Sequence, residues 1–127
     1  MPNILIVDDE ENIRKVLKGL LARNGFDVIM QAESGKQALE IIRNNRVDLV
    51  ISDVMMRGMD GLTLFQHVKN DGPVFVLLSA FATRQTAEDA IKDGVFGIVA
   101  KPYEEKEMLD MISAALKEKK RRGAVGK

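Results

Sequence analysis

The chain has no cysteine and no tryptophan, only one histidine and one tyrosine, and no excess of charge of either sign. Without cysteine there is no disulfide framework and no thiolate metal site, a composition that fits the cytosol. One histidine, His67, is too few for a zinc centre. No apolar run approaches the length of a membrane span. The opening "MPNILIVDDEE" sets four apolar residues before four acids, too short for a signal peptide. The 19 Lys/Arg and 19 Asp/Glu cancel, which removes any global pull toward nucleic acid or membrane. The balance is uneven along the chain. Residues 117–127, "KEKKRRGAVGK", hold six bases and one acid, so the remainder is acidic. Cations at a helix C-terminus or in a linker are the commoner explanation for such a stretch, and contact with nucleic acid the rarer one.

What is present is a chain of 127 residues, the length of one domain with a full core. Short apolar runs alternate five times with amphipathic stretches. "NILIV" (3–7), "FDVIMQA" (26–32), "DLVIS" (48–52), "VFVLLSA" (74–80) and "GIVA" (97–100) read as strands. Between them, Ile13, Val16, Leu17, Leu20 and Leu21 make a helical stripe that ends at Gly25. Ser34 with Gln37 opens a second helix in capping-box spacing, with Ala38, Leu39, Ile41 and Ile42 inward. Asp60 caps a third, carrying Leu62, Phe65 and Val68, and Thr83 a fourth, carrying Ala87, Ala90 and Ile91. A last helix carries Met108, Leu109, Met111, Ile112, Ala115 and Leu116. Strands alternating with helices predict βαβ units and one doubly wound parallel sheet of five strands, covered on both faces.

In open α/β sheets, ligand sites gather outside the carboxyl ends of the strands. Here those ends carry Asp8 and Asp9, then Asp53, Ser79 and Lys101. Carboxylates sharing a cleft repel, by about 4 kcal/mol for two charges 4 Å apart at a surface-like dielectric. A lysine offsets part of this, and a hard cation such as Mg²⁺ more. Two or three Asp, a cation, a Lys and a hydroxyl form a clamp for a transferring phosphoryl group, with Asp53 as the nucleophile. Taken alone, "DDEE" (8–11) also fits acids favoured at a helix N-terminus, and Glu10 and Glu11 are left to that role.

"VDDE" after the first strand, "DVMMRGMDG" after the third, "SA" after the fourth and "KP" after the fifth resemble the receiver domain of two-component response regulators. The resemblance covers residues 3 to about 116, and the four motifs in this order are far more specific than any one of them. It implies the flavodoxin-like strand order 2-1-3-4-5, a receiver over 1–118, and a basic tail or truncated linker over 119–127. It implies that Asp53 accepts a phosphoryl group from the phosphohistidine of a histidine kinase or phosphotransfer protein. Asp8, Asp9, Asp53 and the backbone carbonyl of Met55 would bind Mg²⁺. Ser79, Lys101 and the backbone of Ala80 would contact the phosphoryl group, and the Lys101–Pro102 peptide would be cis. Residues 84–117, the fourth helix to the fifth, would form the surface for a partner, a second copy or an output domain. The stretch "TAEDAIKDGVFGIVAKPY" looks most like receivers that precede a central ATPase in transcriptional activators. No substrate turnover is expected.

The sequence departs from the family pattern at two places. The switch position on the fifth strand, usually aromatic, is Ile98, with Phe96 two residues earlier as the substitute that a period of two offers. The usual proline of the loop is Arg57, read as solvated or as an aid to an anionic donor. Met55 and Phe81, both apolar, occupy positions that influence water attack on the acyl phosphate, which implies slow self-dephosphorylation. Two other readings stay open. A degenerate receiver could bind partners without phosphorylation. A Mg²⁺-dependent phosphatase with an Asp nucleophile would want an acid two residues on, where Met55 stands.

Overall fold

The computed structural model describes residues 2–125. The apolar runs form β1 (Ile4–Val7), β2 (Ile29–Ala32), β3 (Leu49–Asp53), β4 (Val74–Ser79) and β5 (Gly97–Ala100). After each comes a helix: α1 (Glu11–Arg23), α2 (Gly35–Asn44), α3 (Gly61–Val68), α4 (Arg84–Asp93) and α5 (Glu105–Val125). All strands pair in parallel in the order β2-β1-β3-β4-β5, the flavodoxin-like (βα)₅ arrangement. Strand order reverses at β1 and β3, which puts the switch point between them. β1, β3 and β4 are buried throughout, whereas β2 is a half-buried edge. It starts at Ile29 rather than Phe26, because Val28 enters only through its carbonyl, which accepts from Ile4 N at 3.0 Å.

Side chains alternate to the two faces of the sheet. Leu5, Val7, Val50, Phe75 and Leu77 pack beneath α2, α3 and Ala90 of α4. Ile4, Ile6, Leu49, Ile51, Val76 and Leu78 pack beneath α1 and α5. A fully buried aliphatic side chain contributes about 1.5–3 kcal/mol, and an exposed ion pair about 0.2–1 kcal/mol. The two apolar layers, not the surface pairs, therefore fix where the strand ends sit.

Helical spacing overstates the inward faces in three places. Val16, Leu62 and Ile91 are 66%, 39% and 52% exposed. Each helix meets the sheet along a strip narrower than its apolar stripe, so the outermost positions stay in solvent. On α3 the inward leucine is Leu64, and on α4 the one buried residue is Ala90. The caps are formed: Asp60, Ser34 and Thr83 accept from the backbone N–H of Thr63, Gln37 and Thr86, at about 1 kcal/mol each.

The basic stretch over 119–127, expected as a tail or truncated linker, continues α5 as helix through Val125; residues 126–127 lie outside the described residues. Strong helix formers and local pairing sustain it. Glu118 accepts hydrogen bonds from Arg121 and Arg122 at 2.8 Å, which holds its carboxyl down at about 2. Lys119 Nζ donates to Gly72 O at 2.8 Å.

One glycine ties the fold to the strand ends. Gly61 N donates to Val54 O at 2.9 Å, and a Cβ at this position would overlap the Asp53 carbonyl. The Gly61→Ala variant is expected to lose about 1–3 kcal/mol in urea unfolding and to displace Asp53. A midpoint equal to that of the unaltered protein would contradict the close approach.

Candidate functional site

The register brings the polar strand ends to one edge. Val7 pairs with Ser52, so Asp8 and Asp53 come level on neighbouring strands; Ser79 pairs with Ala100, so Lys101 follows directly. Asp53 is the last residue of β3 and is 9% exposed, held inside the strand rather than in the loop. Lys101 Nζ lies 3.1 Å from Asp53 Oδ2 and 3.7 Å from Asp8 Oδ2. Its backbone N donates to Ser79 O at 2.9 Å, and its peptide with Pro102 is cis.

Asp8 is the most constrained of the acids. Its N–H donates to Ala32 O at 3.1 Å, its carbonyl accepts from Arg14 Nη1 at 2.6 Å, and its Oδ1 accepts from Glu10 N at 2.9 Å. Its Oδ2 is buried with no hydrogen-bond partner, the one such side-chain atom among the described residues. Burial raises the Asp8 pKa above the ordinary carboxylate value, and the charges of Asp53 and Asp9 add to the rise. The Glu10 N–H and the Lys101 charge oppose it without cancelling it. An orphaned carboxylate oxygen among three acids and one lysine is a site short of positive charge.

The donors are all oxygens, which suits a hard cation. Among the described residues, no three acidic or histidine side chains converge closely enough to hold a metal by themselves. A backbone carbonyl and water would have to complete the shell. Mg²⁺ meets that condition, since it usually takes one or two carboxylates and keeps several waters. The residues present therefore fit Mg²⁺. Met55, whose carbonyl is the candidate, lies two residues past Asp53 with its side chain exposed. His67 is exposed on α3, beside Arg43 and Asp71, away from these groups.

Not every candidate touches the others. Asp8 and Asp53 both pair with Lys101, whereas Asp9 is met by Arg57, whose Nε lies 3.5 Å from Asp9 Oδ2. Arg57 is solvated as expected, with its side chain 90% exposed, and it also pairs with Asp9. Ser79 is buried, and its Oγ accepts from Phe81 N at 3.1 Å. Ala80 is exposed at the start of the turn into α4. Ile98 is half-buried and lines a cavity of about 190 Å³ with Ser79, Phe81, Leu62 and Thr86. Phe96 cannot substitute for it. The strand begins at Gly97, so the alternation does not extend to Phe96, which packs on the α1–α5 face while Ile98 packs on the other.

Three contributors carried no sequence signal. Arg14 belongs to no motif, yet it fixes the Asp8 carbonyl from the first turn of α1. Tyr103 has its pKa raised by burial and feels both Lys101 and Asp8. A groove of about 750 Å³ runs between α1 and the start of α5, past Val16, Leu20, Lys101, Pro102 and Tyr103.

The raised pKa of Asp8 fixes the sign of one pH effect. The folded protein keeps a proton that the unfolded chain has already released, so the stability from this group is present in acid and lost as pH rises through the folded pKa. Without divalent cation at neutral pH, Asp8→Asn is expected to raise Tm by about 3–6 °C, the effect of roughly 1 kcal/mol. The gain should shrink in mild acid. A neutral-pH Tm no higher than that of the unaltered protein would contradict the charge deficit.

A family model described as the response regulator receiver domain matches residues 4–113. Chemotaxis protein CheY of Bacillus subtilis (strain 168) is 36% identical over 115 residues, covering 89% of this chain and 96% of CheY. Transcriptional regulatory protein GlrR of Escherichia coli (strain K12) is 34% identical over 118 residues, which is 91% of this chain and only 26% of GlrR. Among solved structures, the CheX–CheY–BeF₃–Mg²⁺ complex from Borrelia burgdorferi matches with a TM-score of 0.81 and 28% identity over 89% of this chain and 87% of that one. The span matched by the family model contains every acid, hydroxyl and lysine at the sheet edge, and the chain belongs to the receiver-domain family of two-component response regulators.

Proposed function

We propose that this receiver is a phosphorylation-activated switch in which Asp53 takes a phosphoryl group from the phosphohistidine of a sensor histidine kinase or phosphotransfer protein, with Mg²⁺ as cofactor. The observation that carries the reading is the Lys101 ammonium, 3.1 Å from Asp53 and 3.7 Å from the orphaned oxygen of Asp8. An Asp53 carboxylate oxygen attacks phosphorus, the P–N bond breaks, and its electron pair leaves with the imidazole. Lys101 offsets charge on the phosphoryl oxygens, and the Ser79 hydroxyl and Ala80 N–H donate to them. Asp8, Asp9, Asp53 and the Met55 carbonyl would hold Mg²⁺, which when bound offsets further charge on those oxygens.

The signal would leave through Ser79. Its Oγ holds the Phe81 N–H, so turning the hydroxyl toward a phosphoryl oxygen loosens the turn into α4. That helix has a single buried residue, Ala90, and so little apolar burial to resist movement. The surface of residues 84–117 would then change for a partner, a second copy or an output domain. Transcriptional output, as the name of GlrR states for that protein, is one such route. No helix among the described residues is long and apolar enough to cross a membrane, and we place the domain's work in the cytoplasm.

The protein is proposed to be a phospho-acceptor, not a turnover enzyme. Met55 offers no carboxylate to shuttle protons in a phosphatase cycle. The Arg57–Asp9 pair gives some support to a second reading, a receiver that binds partners without phosphorylation.

Intact mass after incubation with acetyl phosphate and Mg²⁺ separates these readings. One added phosphoryl group, absent from Asp53→Asn, is expected; an unlabelled native protein, or an equally labelled variant, would overturn the proposal. Apolar Met55 and Phe81 beside the site predict an acyl phosphate that persists for minutes or longer after donor removal, and a lifetime of seconds would count against that part.

A further inference from the structure

The mechanism leaves one charged residue at the site without a role. Arg57 stands in the loop between β3 and α3, and two of its groups converge on a single oxygen. Its Nε lies 3.5 Å from Asp9 Oδ2, and its backbone N–H donates to the same atom at 3.2 Å. Asp9 is enclosed, with its side chain 19% exposed, while the arginine side chain is 90% exposed. Among the described residues no other basic side chain pairs with Asp9, because Lys101 is committed to Asp53 and Asp8. The acids are thus divided between two cations. Lys101 serves the buried pair and Arg57 the outer carboxylate.

The two cations differ in how easily they yield. Lys101 is 23% exposed and reaches its partners from just past the end of β5, where its backbone is tied to Ser79 of β4. Arg57 lies on a loop, in water, where an ion pair is weak and screened by salt. A divalent cation coordinated by Asp9 Oδ2 would occupy the oxygen that Arg57 now neutralises, and two cations on one carboxylate oxygen repel. A proline at this position would supply neither contact, having no N–H and no charge.

We infer that Arg57 is a displaceable counter-cation of the metal site: it neutralises Asp9 while no divalent cation is bound, and Mg²⁺ must expel it to bind. Arg57 thereby sets the metal affinity of the receiver. The inference rests on the reading of Asp8, Asp9 and Asp53 as the Mg²⁺ site.

The test is a Mg²⁺ titration of the full chain followed by amide NMR, together with the side-chain Nε–Hε signal of Arg57. Arg57→Gln removes the charge but keeps the backbone N–H, and Arg57→Lys keeps the charge. At low ionic strength Arg57→Gln is expected to tighten the Mg²⁺ Kd about three- to fivefold, near the limit for an exposed pair. Arg57→Lys should stay within about twofold of the native value, and the difference between the two should fade as salt is raised. The Arg57 Nε–Hε signal should move with the same midpoint as the amides of residues 8, 9 and 53, and should not respond in Asp9→Asn. Equal affinities for the native protein and Arg57→Gln, or an arginine signal indifferent to Mg²⁺, would overturn the inference while leaving the metal site standing. Absence of Mg²⁺ binding in every form would overturn the metal-site reading and this inference with it.

Discussion

The contact of Lys101 with Asp53 and Asp8 is the interaction on which the account of this domain depends. Two carboxylates at about 4 Å repel by about 4 kcal/mol at a surface-like dielectric, a large share of the stability of an ordinary domain. Lys101 offsets part of that from one side, at 3.1 and 3.7 Å. It leaves Asp8 Oδ2 unpartnered and its proton affinity raised. The sheet holds the acids together regardless, because two apolar layers lock β1, β3 and β4 in register. Fold stability thus maintains an arrangement that is locally unfavourable, and that imbalance is what a bound cation would relieve.

The same edge links charge to shape. Asp53 and Ser79 end neighbouring central strands, so a change in charge at one is felt within a strand's width by the other. Ser79 in turn holds the first residues of the path to α4 through the Phe81 N–H. Beyond it lie a cavity lined by Ile98 and Phe81 and a helix anchored by one alanine. A stiff sheet next to a lightly anchored helix would let a local event reach the surface, as the proposed switch requires.

Much of this was legible in the residues because parallel sheets impose strong patterns. "LVIS" before Asp53 read as a strand buried on both faces, and the acids, Ser79 and Lys101 fell at strand ends by counting. The caps at Ser34, Asp60 and Thr83 followed from local chemistry that needs no tertiary context. The failures lie where tertiary packing decides. Val16, Leu62 and Ile91 share the helical spacing of core residues, but the sheet does not reach them. Phe96 obeys a period of two only if the strand includes it, and β5 starts one residue later. Arg14 and Arg57 reach the site through side-chain length and loop path, neither of which leaves a mark on periodicity.

The central claim is that charge placed on Asp53 reorganises the surface from Ser79 onward. Amide NMR of the protein with beryllofluoride and Mg²⁺, beside Asp53→Ala under the same conditions, tests it most directly. The account predicts shifts through residues 79–117 that vanish in the variant, in spite of Ile98 at the switch position. Shifts confined to the neighbourhood of Asp53, or the same response in Asp53→Ala, would contradict it.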